Sequence, residues 1–325
     1  MARKALLWLA VGVPLVAALI VGVGWFAFVP GIKEPPYRQA AAWGGKGIGP
    51  GQFNEPTGVA VAGEEVFVAD ARNARIQVFD LEGKFKRQFG NKGKAPGELG
   101  RPMNLTIAKG VLYIADYWND RVEVFSVDGT HQRTIGRPGS GSGEFNAPGG
   151  VAVAPNGDLY VADFYNQRVQ HLNSEGVFVK QWGTTEKVGI WGGEFNYPTD
   201  LALSADGTLY VADGYNDRVQ VFGPDGRYLR RWGGPFGMNI HGPFNGWFTT
   251  VTAIAVERGG SIFVSDFYNG RVQKFSSDGS FLTAFGSSPT AGTGLTHPMG
   301  IAVSDDGAMF VTDVKPHRVT KWTKP

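Results

Sequence analysis

From residue 37 to the C-terminus, short apolar runs alternate with tight polar turns at a regular period. In one such period the runs are GVAVA (150–154), LYVA (159–162), RVQHL (168–172) and FVKQW (178–182), and the turns between them carry Asn156-Gly157 and Ser174-Glu175-Gly176. Four short runs joined by Gly-containing turns, with no 3.6-residue periodicity, predict one four-stranded antiparallel sheet per period. The second run opens the segment LYVADFYNQRVQ (159–170), and near-copies begin at Val66, Leu112, Leu209, Ile262 and Met309. Every copy holds an Asp followed five residues later by an Arg: Asp70/Arg75, Asp116/Arg121, Asp163/Arg168, Asp213/Arg218, Asp266/Arg271 and Asp313/Arg318. The Asp residues lie 46, 47, 50, 53 and 47 apart, the spacing of a repeat architecture.

The last period stops after its third run. Residues 37–44 (YRQAAAWG) match the fourth-run endings Gln88-Phe89-Gly90, Gln181-Trp182-Gly183 and Arg231-Trp232-Gly233. The N-terminal strand is therefore expected to complete the C-terminal sheet and close a ring of six blades, which hides sheet edges. The fold class expected is all-β: a six-bladed β-propeller over 37–325, preceded by one transmembrane helix (1–29) and a Pro-rich tether (30–36). The repeated V-A-D-x-x-N-x-R-[IV]-Q, preceded by P-x-G-V-A-V, resembles the NHL repeat. The resemblance covers essentially all of 37–325 and implies a six-bladed propeller.

Ala5 to Val29 is a charge-free, mostly apolar run, about 37 Å long as a helix, flanked upstream by Arg3 and Lys4. It reads as an uncleaved signal anchor rather than a cleaved signal peptide, with the N-terminus cytoplasmic and the propeller periplasmic or extracellular. Because residues 37–44 occupy a fourth-strand place, the tether is expected to leave from the hairpin-turn face. The opposite face would then point away from the bilayer. The chain has 48 Gly, 19 Pro and no Cys, so no thiolate metal site or disulfide exists. From Tyr37 onward 28 basic residues balance 28 acidic ones, which opposes nucleic-acid binding.

Antiparallel topology puts the loops after the second strands and the crossings between blades on one face, here called the top. The six-fold Asp and Arg are expected to be structural, and the Asn at 73, 119, 166, 216 and 269 to be turn residues near left-handed geometry. What varies around the ring is more informative. The two positions after each Asp supply Arg72, Tyr117, Trp118, Phe164, Tyr165, Tyr215, Phe267, Tyr268 and Lys315, and two enlarged crossings add Trp191, Phe236, Phe244 and Trp247. Aromatics and cations on one face suit a protein partner, one belonging to a membrane complex included, although rings at such positions also pack between blades. Asn104 and Asp200 replace small residues at the channel mouth, a place for a small ligand or a hard cation.

Catalysis is the alternative reading. Among propellers resembling this one, amidating lyases place His after the Pro that opens the inner strand. Here those places hold Thr57, Met103, Gly149, Thr199, Thr252 and Met299, leaving only His241, His297 and His317 on top loops as weak metal candidates. Metal-dependent lactonase propellers use an acid with Asn and Asp, which Asn104 and Asp200 echo in part. No catalytic residue and no cofactor is expected. The function expected is a membrane-anchored, extracytoplasmic scaffold, sensor or accessory subunit that binds protein through the top face; the alternative is a metal-dependent lactonase, hydrolase or lyase working at the channel mouth.

Overall fold

A computed structural model describes residues 29–287 and 294–325. The expected transmembrane segment, apart from Val29, lies outside them, and among the described residues no helix is long and apolar enough to cross a membrane. Six four-stranded antiparallel sheets are arranged as the blades of a propeller. Blade three shows why the repeat folds this way: its strands are Pro148–Val153, Leu159–Asp163, Arg168–Leu172 and Phe178–Trp182. The two middle strands are covered on both faces by neighbouring blades, so Leu159–Asp163 is apolar up to its Asp, and Arg168, Gln170 and His171 of the next strand are buried polar residues. The first turn closes with Gly157 N–H donating to Ala154 O at 2.9 Å, and Gly157 adopts φ 96°, where a Cβ would be strained.

Blade six is completed by the N-terminal strand Arg38–Gly44, which pairs antiparallel with Arg318–Thr323. Tyr37 stacks on Phe285 at 5.0 Å, and Trp43 packs against Phe79 and Phe310, so the closing strand is held by rings as well as by its ladder. Six hydrophobic clusters fill the six blade-to-blade interfaces. Each crossing drives one wedge into its interface: Phe53, Leu99, Phe145, Phe195, Phe248 or Leu295, all buried. Burial of one such ring is worth roughly 1.5–3 kcal/mol.

The tether does not hang free. Lys33 N–H and Glu34 N–H both donate to Leu282 O, at 2.7 and 3.1 Å, and Glu34 forms an ion pair with Lys274 at 2.6 Å. Pro30 O accepts from Asn245 Nδ2 at 3.2 Å. Strand Arg38–Gly44 does start on the turn face. Residues 30–36, however, run back along the flank of blade five and finish against the crossing between blades four and five, a top-side element. The expectation of a turn-face exit is corrected accordingly: the Pro-rich segment finds backbone and charge partners on the flank.

Candidate functional site: the top face and channel mouth

The repeated acid and base form a buried bracket that positions the top loops. In blade one, Asp70 accepts from Asn54 N–H at 2.7 Å, Asn73 Nδ2 at 2.9 Å, Arg75 Nε at 2.7 Å and Gln77 Nε2 at 3.1 Å. The same set recurs around Asp163, Asp213 and Asp266. Arg75, Arg168, Arg218 and Arg271 also donate to carbonyls of the preceding crossing, tying each loop to its blade. In blade two Glu123 replaces the Gln and draws Arg121 to itself at 2.6 Å. In blade six Thr320 stands there and Arg318 lies 3.4 Å from Asp313. Left-handed geometry falls one residue after the Asn, at Ala74, Asp120, Gln167, Asp217 and Gly270. The Asn instead keeps its side chain for the Asp and a crossing carbonyl.

Above the channel, Arg101, Tyr117, Phe164, Tyr215, Phe267 and Tyr268 surround a cavity of about 240 Å³. The two positions after each Asp divide in role. Tyr117, Phe164 and Phe267 are half-buried and wall the mouth, while Trp118 (49 % exposed), Tyr165 (47 %), Tyr215, Tyr268, Arg72 and Lys315 stand outward. Tyr117 packs on Phe164 and Tyr165 at about 6 Å; burial and the neighbouring Tyr165 raise its pKa. Sequence reading missed two members. Tyr197 fills the gap between Phe164 (4.8 Å) and Tyr215 (5.1 Å), and Arg101 lies over the Tyr117 and Trp118 rings. Both precede the Pro that opens an inner strand, as do Glu55 and His297, so that position was the available signal.

Asn104 and Asp200 meet. The Asn104 side chain favours the charged form of the Asp200 carboxyl, and Asp200 Oδ2 accepts from Ile254 N–H at 3.0 Å. Together they separate the mouth from a lower chamber of about 300 Å³ lined by inner-strand residues. Burial pushes the Asp200 carboxyl up to about 7. Glycines make the room: a Cβ on Gly150 would lie 2.3 Å from Asp200 Oδ1, and one on Gly58 would lie 2.7 Å from Asn104 Cα. Around the same rim, Thr57, Thr199 and Thr252 donate their hydroxyls to the carbonyls of Pro102, Val251 and Pro298 in the next blade, each at 2.9 Å. These hydroxyls serve as blade-to-blade ties.

Trp247, expected on the surface, is only 1 % exposed. The cause is register. Trp247-Phe248 occupies the place of Gln52-Phe53, Glu144-Phe145 and Glu194-Phe195, and Trp247 O accepts from Arg271 and Gln273 as Gln52 O does from Arg75 and Gln77. The insertion proper is confined to about 234–243, and Phe236, Phe244 and Trp191 remain exposed. The three His residues are dispersed: His241 is exposed, His297 packs on Phe267 at 4.7 Å, and His317 Nδ1 accepts from Glu55 N–H at 3.0 Å. Among the described residues no group of three His, Asp or Glu is placed to hold a metal ion.

A family model for the NHL repeat matches residues 53–79, 145–172 and 195–222. Each match runs from a buried wedge ring (Phe53, Phe145 or Phe195) through the Asp–Arg bracket to the end of a third strand. The chain is a six-bladed propeller that carries NHL repeats. Two curated relatives share part of its repeat region. One is the protein brain tumor of Drosophila melanogaster, 49 % identical over 59 residues, 18 % of this chain and 6 % of that protein. The other is the B-box type zinc finger protein ncl-1 of Caenorhabditis elegans, 50 % identical over 58 residues, 18 % of this chain and 7 % of that protein. The alignments thus span under a tenth of either relative's length. Solved structures share the fold alone: a Bacteroides thetaiotaomicron protein of unknown function (TM-score 0.66, 16 % identity, covering 88 % of this chain and 75 % of that one), a streptogramin B lyase (0.58, 14 %, 84 % and 94 %) and the WD40 propeller domain of Doa1 (0.61, 12 %, 89 % and 97 %).

The NHL propeller's top face has two halves. Rings crowd blades two to five. Over blades six, one and two lies a groove of about 610 Å³ lined by Glu55, Arg72, Arg101, His297, Lys315 and His317. Glu55 bridges Arg72 at 2.6 Å and Arg101 at 3.0 Å, so one carboxylate is set between two guanidinium groups and the groove keeps a cationic balance. Burial and the neighbouring Lys315 lower the His297 pKa and keep that imidazole neutral near pH 7.

Proposed function

We propose that this NHL propeller is a membrane-anchored, extracytoplasmic scaffold or accessory subunit that holds a protein partner on its top face. One observation carries the reading: outward rings at Trp118, Tyr165, Tyr215 and Tyr268 surround a preformed apolar mouth that merges with a cationic groove. Rigid rings beside a desolvated pocket and an Arg-lined flank are the ingredients of an interface hot spot. The complementary partner segment inserts one apolar side chain at the mouth and lays carboxylates toward Arg72, Arg101 and Lys315. The charge-free run Ala5–Val29 supports anchoring, and Arg3 and Lys4 ahead of it support a cytoplasmic N-terminus.

The test is crosslinking in intact membranes followed by affinity capture, with Trp118→Ala/Tyr165→Ala in parallel. Loss of a stoichiometric partner from a variant that still melts like wild type supports the top face. Equal capture by both proteins refutes it. Retention of the chain in the membrane pellet through alkaline carbonate extraction tests the anchor separately.

A further inference from the structure

The two enlarged crossings form an apolar rim whose position relative to the N-terminus was not foreseen. Trp191 and Phe244 occupy one equivalent position in successive crossings, each offering its carbonyl to the bracket Arg of the next blade (Arg218 and Arg271). Gly49, Ala95 and Gly141 fill that position in the preceding crossings. Trp191 is 61 % exposed, and Phe236 is 72 % exposed while its backbone is held at φ 60°, ψ 8°, a left-handed conformation that bulky residues avoid. Ile190 and Ile240 are exposed beside them. The rim is one preformed unit, because Arg231 reaches from below to the carbonyls of both Phe236 (3.1 Å) and Ile190 (2.9 Å). Residues 234–250 contain no Asp, Glu, Lys or Arg.

The described chain ends against this same loop. Pro30 O accepts from Asn245 Nδ2, and the Pro30 ring lies where a Cβ on Gly246 would meet it at 3.2 Å. The 25-residue charge-free run Ala5–Val29 therefore joins the propeller next to Phe244. We infer that the rim Trp191–Phe236–Phe244 seats in the headgroup and acyl boundary of the bilayer that the N-terminal run enters. Exposed aromatic and aliphatic groups suit that boundary, where ring faces are buried and the polar backbone stays hydrated; loop 234–250 brings no Asp, Glu, Lys or Arg to it, whereas the Trp191 crossing carries Glu186, Lys187 and Glu194. The propeller then sits tilted, blades four and five toward the lipid, and its mouth faces a neighbour in the membrane rather than open solvent. This inference rests on the anchored reading above.

The absence of native Cys permits a direct test. Full-length single-Cys variants Phe236→Cys, Phe244→Cys and, on the turn face, Asp225→Cys are labelled with bimane and reconstituted into phosphatidylcholine–phosphatidylglycerol vesicles. Bimane is then quenched by aqueous iodide or by nitroxide on shallow acyl positions. Positions 236 and 244 are expected to show iodide quenching about three-fold or more below position 225, and strong nitroxide quenching that position 225 lacks. Iodide access equal to that of position 225 in vesicle-bound chain overturns the rim. Shielding from both quenchers also overturns it, in favour of a second copy covering the patch. If chain with nitroxide quenching at 236 is released by carbonate, the rim stands and the transmembrane anchor falls; if the chain never binds vesicles, both fall.

Discussion

Asp200 makes the buried channel sensitive to pH in a direction opposite to that of a salt-bridged carboxylate. Its Oδ2 accepts from Ile254 N–H, but among the described residues no cation accompanies it, and burial raises its pKa to about 7. In the unfolded chain the value returns to about 3.9. The folded state therefore binds the proton more tightly, so stability falls as pH rises from about 4 to about 7, and the whole penalty is present above that window. The difference of about three units corresponds to roughly 4 kcal/mol. Asp200→Asn removes the charge and retains one acceptor for Ile254 N–H, at a pH-independent cost of about 1 kcal/mol for imperfect hydrogen bonding. The assay is urea unfolding of detergent-solubilised wild type and variant, followed by tryptophan emission at several pH values from about 5 to 8. Asp116, Asp163, Asp213 and Asp266 are also raised by burial and impose the same slope on both proteins, so the difference isolates Asp200. Asp200→Asn is expected to gain on wild type steadily with pH and to be the more stable protein at about pH 8. A wild type–variant difference that stays constant across the range would refute the reasoning.

Arg168→Met leaves the Asp163 carboxylate buried without its cation and should cost about 3–5 kcal/mol, whereas Arg137→Met, which breaks a largely exposed pair with Glu144, should cost under about 1 kcal/mol in the same urea unfolding assay. Gly150→Ala places a Cβ 2.3 Å from Asp200 Oδ1 and 2.9 Å from its Cα, so a destabilisation of about 1–3 kcal/mol is expected, relieved only in part by adding Asp200→Gly; full relief would show that backbone crowding plays no part. Starting the chain at Gly45 deletes Tyr37, Trp43 and the closing strand and exposes Arg318–Thr323 as an open edge. Size-exclusion chromatography should then show aggregation, which a chain starting at Pro36 does not show.

Blade number, strand order within a blade and closure by residues 37–44 were legible because each depends on short-range pattern: apolar runs of strand length, Gly at turns, and one repeated Asp-x4-Arg. The bracket around Asp70 was legible only as a repetition. Which carbonyls it gathers depends on crossings about 26 residues away, as with Arg75 and Gly49. Trp247 looked like part of an insertion because a count of residues does not reveal which ring serves as the wedge. Only its carbonyl, caught by Arg271 and Gln273, fixes the register.

By itself, then, the sequence determined the blades, the ring they close and the face that carries the variable rings, since backbone hydrogen bonding and strand-length burial are local. Tertiary structure alone decided that Asn104 meets Asp200, that Tyr197 and Arg101 complete the mouth, and that Pro30 turns back to Asn245. These contacts join positions about 16 to 215 residues apart, and the closed ring sets their distances, which no stretch of local pattern encodes.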